Sequence, residues 1–256
     1  RGPRHVRTTT YLGLIIGVAI VYYAVLAKGG DMTIFTNVVA LLIAVGGTFA
    51  ATTLSSSRIT AVHAVSALSR IFVIGSVSSK ALATELVGLA RQGKARGFAS
   101  IDIAEVKLRE PFLLKGLQLV VDGVPPERIE ELLRLESEIL SEKRTAAERM
   151  FRLMGTYSPM FGLVGTLIGL IQMLKGLTDP RAIGQGMSVA LMATFYGVLM
   201  AGLFFLPLAG KVRTLDLDER LMRDQIIAGL LAIRIGQHPE YLRETLEVFA
   251  GGGKRE

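Results

Sequence analysis

Four uncharged stretches constrain what this 256-residue chain can fold into: Thr8 to Ala27 (20 residues), Met32 to Ser57 (26), Leu153 to Leu174 (22) and Ala182 to Gly210 (29). Crossing a hydrocarbon core takes about 20 apolar residues of helix, so each stretch is long enough for one span. Each is apolar around its whole circumference, whereas a soluble helix of that length shows a polar face. The next apolar runs, Ile71 to Ser79 and Gln225 to Ile233, have nine residues each and are too short. The first stretch follows Arg1, Arg4 and Arg7 and ends in Ala24-Val25-Leu26-Ala27, features shared with secretory signals. Its apolar part is longer than a signal's, and a second stretch follows four residues later, so it reads as a retained helix. The expected fold is an all-α membrane protein with four transmembrane helices. A large helical insertion separates the second and third spans, and a helical tail follows the fourth.

Charge is segregated along the chain. Of the Lys and Arg residues, three precede the first stretch, 15 lie between Arg58 and Arg152, and eight follow from Lys211. The two short connections hold only Lys28, Lys175 and Arg181. Basic loops stay on the cytoplasmic side, so both termini and the insertion are expected in the cytoplasm of a multi-pass inner-membrane protein. The net charge of +7 follows from this asymmetry. It does not argue for nucleic acid, because the insertion sets 12 acidic residues against its 15 basic ones and shows no aromatic-basic interleaving. With no cysteine, neither a disulfide nor a thiolate metal site is possible. His5, His63 and His238 lack ligand-like spacing. No catalytic residue, cofactor or tightly bound metal is expected, and the chain does not read as an enzyme.

The boundaries follow: 1–57 for the N-terminal arm and first two spans, 58–152 for the cytoplasmic insertion, 153–210 for the third and fourth spans, and 211–256 for the tail. In the insertion, Lys80 to Gln92 carries Leu82, Leu86, Leu89 and Ala90 on one face, before a break at Gly93 to Gly97. Glu110 to Val121 reads as a second helix, closed by Asp122-Gly123. Pro125-Pro126 then opens a third, since proline fits the first helical turn. Ile129, Leu132, Leu133, Ile139, Leu140, Ala147 and Met150 give it an apolar stripe. No breaker separates it from the third span, which predicts one long rod. Asp216 to Ile235 is a further amphipathic candidate in the tail.

The four stretches contain no Asp, Glu, Lys, Arg or His. Ion pathways normally keep an ionisable group at membrane depth, so this chain does not read as a self-sufficient transporter. It offers small residues instead: Gly162, Gly165 and Gly169 share one face of the third span, and Gly13 to Gly17 repeats the spacing in the first. Such faces let helices approach closely, within or between subunits. Pro159 and Pro207 each remove a backbone hydrogen bond near the cytoplasmic ends of the third and fourth spans. Thr166 and Thr194, with Ser188 nearby, are the polar side chains best placed in these spans. Membrane threonines usually bond back to their own helix. A pair facing one cavity could also give oxygen ligands to a hard cation, with the carboxylate supplied by another polypeptide.

The run from Phe151 to Leu170, with Gly155, Pro159, Gly162, Gly165, Thr166 and Gly169, resembles the third span of the MotA/PomA flagellar stator proteins. Asp179 to Gly184, Val189 to Gly197 and Phe204 to Ala209 resemble that family's last loop and fourth span. Lys115-Gly116, Val121-Asp122-Gly123 and Ala228 to Ile233 match its cytoplasmic signatures. The likeness runs in order from about Tyr11 to Phe249. It implies five copies of this chain, a homo-pentamer in the lipid bilayer, around two copies of a single-span MotB/PomB-like B subunit whose membrane Asp carries the ion. It also implies an ion-driven rotation that pushes the rotor protein FliG. By the same resemblance Pro159 and Pro207 couple ion passage to conformational change, and Thr194 lines the ion path. Thr166 takes the position where sodium-driven members carry Thr and proton-driven ones usually Ala, so Na+ is expected before H+.

The rotor-facing charges implied by the resemblance form the cluster Arg91, Lys94 and Arg96, then Asp102 and Glu105. An ExbB/TolQ-type energising subunit is the first alternative, against which four spans weigh, since those proteins typically have three. The second is a non-conducting membrane scaffold, which would tolerate loss of Pro159 or Thr194.

Overall fold

The computed structural model describes residues 5–27, 35–73, 78–98 and 101–251, so Arg1, Arg4 and Lys28 lie outside the described residues. Among the described residues every regular element is a helix, and there is no strand. Eight helices follow in order: α1 (His5–Leu26), α2 (Val38–Ser55), α3 (Arg58–Val73), α4 (Ser79–Arg96), α5 (Pro111–Val121), α6 (Pro126–Lys175), α7 (Pro180–Arg234) and α8 (Pro239–Gly251). Their ends carry recognisable local chemistry. Asn37 accepts from the Ala40 amide to open α2, and Asp179 accepts from the Arg181 amide to open α7. Pro111, Pro126 and Pro180 sit in first turns, where a missing N–H costs nothing. Gly97, Gly123 and Gly236 adopt positive φ (85°, 77° and 73°) just beyond α4, α5 and α7.

Among the described residues, α2, α6 and α7 are long and apolar enough to cross a membrane. Helix α1 has 22 residues, a rise of about 33 Å. The expected rod is present, because α6 runs unbroken for 50 residues from the charged segment through the third apolar stretch. Helix α7 does the same in reverse, joining the fourth stretch to the tail over 55 residues.

By packing, the chain divides into two compact units: His5–Ile74 with Lys143–Thr214, and the described parts of Gly75–Glu142 with Leu215–Glu256. The cut falls inside α6 and α7, so each of these helices contributes to both units. The charged unit closes on a core of leucines and isoleucines: Leu82 and Leu86 of α4, Leu113 and Leu117 of α5, Leu133 of α6, Leu230 of α7 and Leu246 of α8. Two glycines make it close-packed. A methyl on Gly116 would collide with Leu230, and one on Gly229 would sit 2.6 Å from Leu86 Cδ1.

Two expectations are corrected here. The break at Gly93 to Gly97 narrows to Gly97 alone, because Gly93 stays helical and seats the Phe98 ring, 2.7 Å from where its Cβ would be. Ile139, assigned to the apolar stripe, is 47% exposed. At that level α6 buries Ser141 instead, against a buried arginine of α7.

Candidate functional site

The third and fourth apolar stretches are held together by backbone, not by side chains. A Cβ on Gly162 would lie 3.0 Å from the Ala193 carbonyl oxygen, and one on Gly169 would lie 2.6 Å from the Ala190 amide and against the Gly186 carbonyl. Facing them, a Cβ on Gly197 would lie 2.6 Å from the Ser158 carbonyl oxygen. Gly165 opposes Ala193. The two helices are therefore antiparallel and in near contact from Ser158 to Met173, as small-residue faces permit. The spacing in α1 behaves differently: Gly17 faces Leu203, while Gly13 has nothing within 4 Å.

Ser158 adds a polar weld that the sequence reading missed. Its hydroxyl is 1% exposed and donates to the Gly197 carbonyl at 2.9 Å. No local pattern marked it, because its partner lies 39 residues away on α7.

The two prolines come to facing turns. Gly155, four residues before Pro159 and so opposite its ring, packs against Leu206, the neighbour of Pro207. Pro207 follows a π turn at Ala201–Phe205, where the Leu206 amide reaches back to the Ala201 carbonyl. A wider turn accommodates a ring that would otherwise meet the carbonyl one turn earlier. It also keeps a face straight. Gly197, Ala201, Phe205 and Ala209 are all buried and recur every four residues, a spacing that drifts by about 40° per step in an α-helix. The five residues of the π turn take up that drift. Helix α2 repeats the device, with a π turn at Leu42–Gly46 inside the buried series Ala40, Ala44, Thr48 and Thr52.

Thr166 donates to the Leu163 carbonyl at 2.6 Å and Thr194 to the Ala190 carbonyl at 3.3 Å, so both hydroxyls bond to their own helices. That leaves each oxygen's lone pairs free to accept. Each threonine is rotated by roughly 70°, in the same sense, from the mean direction of the small residues beside it. Because the helices are antiparallel, equal rotations bring Thr166 and Thr194 to one side of the seam, about a turn apart. Thr194 also borders a groove of about 580 Å³ between α1 and α7, lined by Gly17, Val21, Phe195 and Gly202 among others.

Ser188 and Tyr196 tie α7 to the start of α2. Asn37 donates to the Ser188 hydroxyl at 3.2 Å, and the Tyr196 hydroxyl accepts from the Asn37 amide while donating to the Phe35 carbonyl. The role of Asn37 went unread because its partners are about 150 residues away in sequence.

The charge cluster lies at the end of α4 and in the segment after it. Arg91 pairs with Glu240 of α8 at 2.8 Å, a partner not foreseen. Lys94 and Glu105 are exposed, and the Glu105 amide donates to the Asp102 carbonyl at 3.1 Å. Asp102 caps a short turn, accepting from the Ala104 amide at 2.8 Å. Arg96 ends α4, and its side chain lies outside the described set. The segment folds back along α4, with Phe98 on Gly93 and the Lys107 amide donating to Glu85 at 2.9 Å. No group of three or more His, Cys, Asp and Glu residues gathers as a metal site among the described residues.

Residues 104–225 match the MotA/TolQ/ExbB proton channel family. The chain is 32% identical over 246 residues to the chemotaxis protein PomA of Vibrio alginolyticus, covering 96% of each. It is 33% identical over 243 residues to motility protein A of Borreliella burgdorferi, covering 93% of each. Its fold matches the structure of C. jejuni MotAB with a TM-score of 0.86, at 25% identity and 94% coverage of both chains. These relatives and this structure match the chain along nearly its whole length. The chain belongs to the MotA/PomA family of flagellar motor stator subunits.

Proposed function

We propose that this chain is the A-type subunit of a sodium-coupled stator in the bacterial inner membrane, completed by a B-type subunit that brings the missing membrane carboxylate. Family membership makes it an ion-driven motor and channel component. The observation that carries the fuller reading is the side shared by Thr166 and Thr194. Their oxygens flank a seam with no ionisable group of its own, which suits half of a site for a hard cation. The segregation of Lys and Arg supports cytoplasmic termini and a cytoplasmic bundle. The 22 residues of α1 support a fourth span. A homo-pentamer around two B subunits, with FliG as the rotor partner, is carried over from the family resemblance.

The test is ion flow. Membranes holding this chain alone should not conduct, while co-expression with its B subunit should allow flow that saturates with sodium. Thr166→Ala should shift the sodium needed for half-maximal swimming speed upward by about tenfold, the loss of roughly one charge-assisted oxygen contact. Conduction by the chain alone, or unchanged speed across a sodium titration, would defeat this reading.

Arg91, Lys94 and Arg96 are proposed as the basic side of the rotor contact, with Asp102 and Glu105 as the acidic side. Reversing the three basic residues together should cut torque severely while leaving the amount of chain in the membrane unchanged. The structural cost is small, because an exposed pair such as Arg91–Glu240 contributes only about 0–1 kcal/mol. Normal swimming by the reversed variant would remove the cluster from the rotor interface.

A further inference from the structure

We propose that Arg223 is a positioning residue that sets the register of α7 against α6, and that this register lets displacements of both helices reach the charged bundle as one motion. The inference rests on the stator reading above. Arg223 is 3% exposed, an unusual place for a guanidinium. Its Nε donates to Ser137 Oγ at 2.9 Å and its terminal nitrogen to Ser141 Oγ at 2.8 Å. Both serines are on α6, four residues apart and so on one face. They take the place an apolar pair would hold, which is why Ile139 turns outward.

The carboxylates of its own helix are farther away. Asp216 Oδ1 lies 3.7 Å and Glu219 Oε2 3.6 Å from the guanidinium. Asp216 Oδ2 is held by Arg220 at 2.9 Å, but Oδ1 is buried without a hydrogen bond. A buried acceptor left unpaired beside a buried donor is rare enough to require a reason. Arg223 thus has two partner sets within less than an ångström of hydrogen-bonding reach: hydroxyls across the helix interface, and carboxylates along its own helix. Sliding α7 against α6 would trade one set for the other. That is a two-state element, the kind of feature that carries coupling between distant parts of a protein. An apolar side chain could fill the same space without loss of stability, so packing alone does not account for an arginine here.

The experiment uses the full chain with its B subunit in a motile host lacking its own stator. Arg223→Met is the direct variant. Ser137→Ala with Ser141→Ala is the milder one, because it leaves the charge beside Asp216 and Glu219. The chain has no cysteine, so spin labels at Leu135→Cys and Leu217→Cys, both exposed, report the α6–α7 separation. The expected result is a single narrow distance with the native residues and a broadened one in both variants. Stall torque should fall about threefold or more at unchanged membrane level and unchanged ion flow. A distance that stays narrow, or torque that falls only in proportion to ion flow, would overturn the proposal. If the unsubstituted complex neither conducts nor turns the rotor, the stator reading fails, while the distance measurement still decides the role of Arg223 in register.

Discussion

Gly169→Ala is expected to abolish swimming and to reduce sharply the amount of chain recovered with its partner, although one methyl is the only change. The added carbon would meet the Gly186 carbonyl and lie 2.6 Å from the Ala190 amide. Both are backbone atoms, which cannot rotate away as a side chain would. The third and fourth apolar stretches would have to separate, and every contact from Gly162 to Gly169 would loosen together. Overpacking of this kind costs about 1–3 kcal/mol where side chains can yield, and more where they cannot. Gly184→Ala is the control. It lies on the same helix as Gly186, has nothing within 4 Å, and should swim normally, since alanine favours the helix. Recovery of the complex by affinity capture and swimming speed are the two measurements. Wild-type behaviour of Gly169→Ala would mean that the two helices are not in backbone contact.

The second large effect is expected at Pro207. Alanine there restores an amide donor and removes the ring, so the π turn at Ala201–Phe205 loses the reason for its extra width. Relaxation to an α-turn would carry Phe205, Ala209 and Val212 roughly 80–100° off the face that Gly186, Ala193 and Gly197 share. Those three residues are buried, so the rotation would expose them and disturb the packing of Leu206 on Gly155. Pro207→Ala should therefore insert into the membrane at normal levels and yet drive no rotation. A disulfide between Gly155→Cys and Leu206→Cys should form readily beside Pro207 and poorly beside its alanine replacement. Equal cross-linking and normal motility would show that the proline does not maintain the turn.

Much of this was legible in the residues. The uncharged stretches predicted helices α1, α2 and the apolar parts of α6 and α7. The leucines of Lys80 to Gln92 all turned inward, and the prolines at 111, 126 and 180 open the helices they introduce. The π turns were legible in principle, because Ala40, Ala44, Thr48 and Thr52 repeat every four residues, not every 3.6. Helix α3 was not foreseen, since Arg58 to Val73 shows neither a long apolar run nor a clear stripe. Arg223 looked like one more solvated charge in an amphipathic tail. Its burial depends on Ser137 and Ser141, more than 80 residues away, which no local pattern could connect to it.

The four uncharged stretches, met first, determine by themselves that this chain belongs in a bilayer and that it brings no carboxylate to an ion path there. Solvation fixes this, because hydrocarbon rejects charge and demands a closed hydrogen-bonded backbone whatever the neighbours are. Which glycines meet which carbonyls was decided only in three dimensions, as was the side shared by Thr166 and Thr194 and the seating of Arg223 against α6. Each of these depends on the register between two helices far apart in sequence. Register is set by the sum of many contacts, to which any single residue contributes only a part.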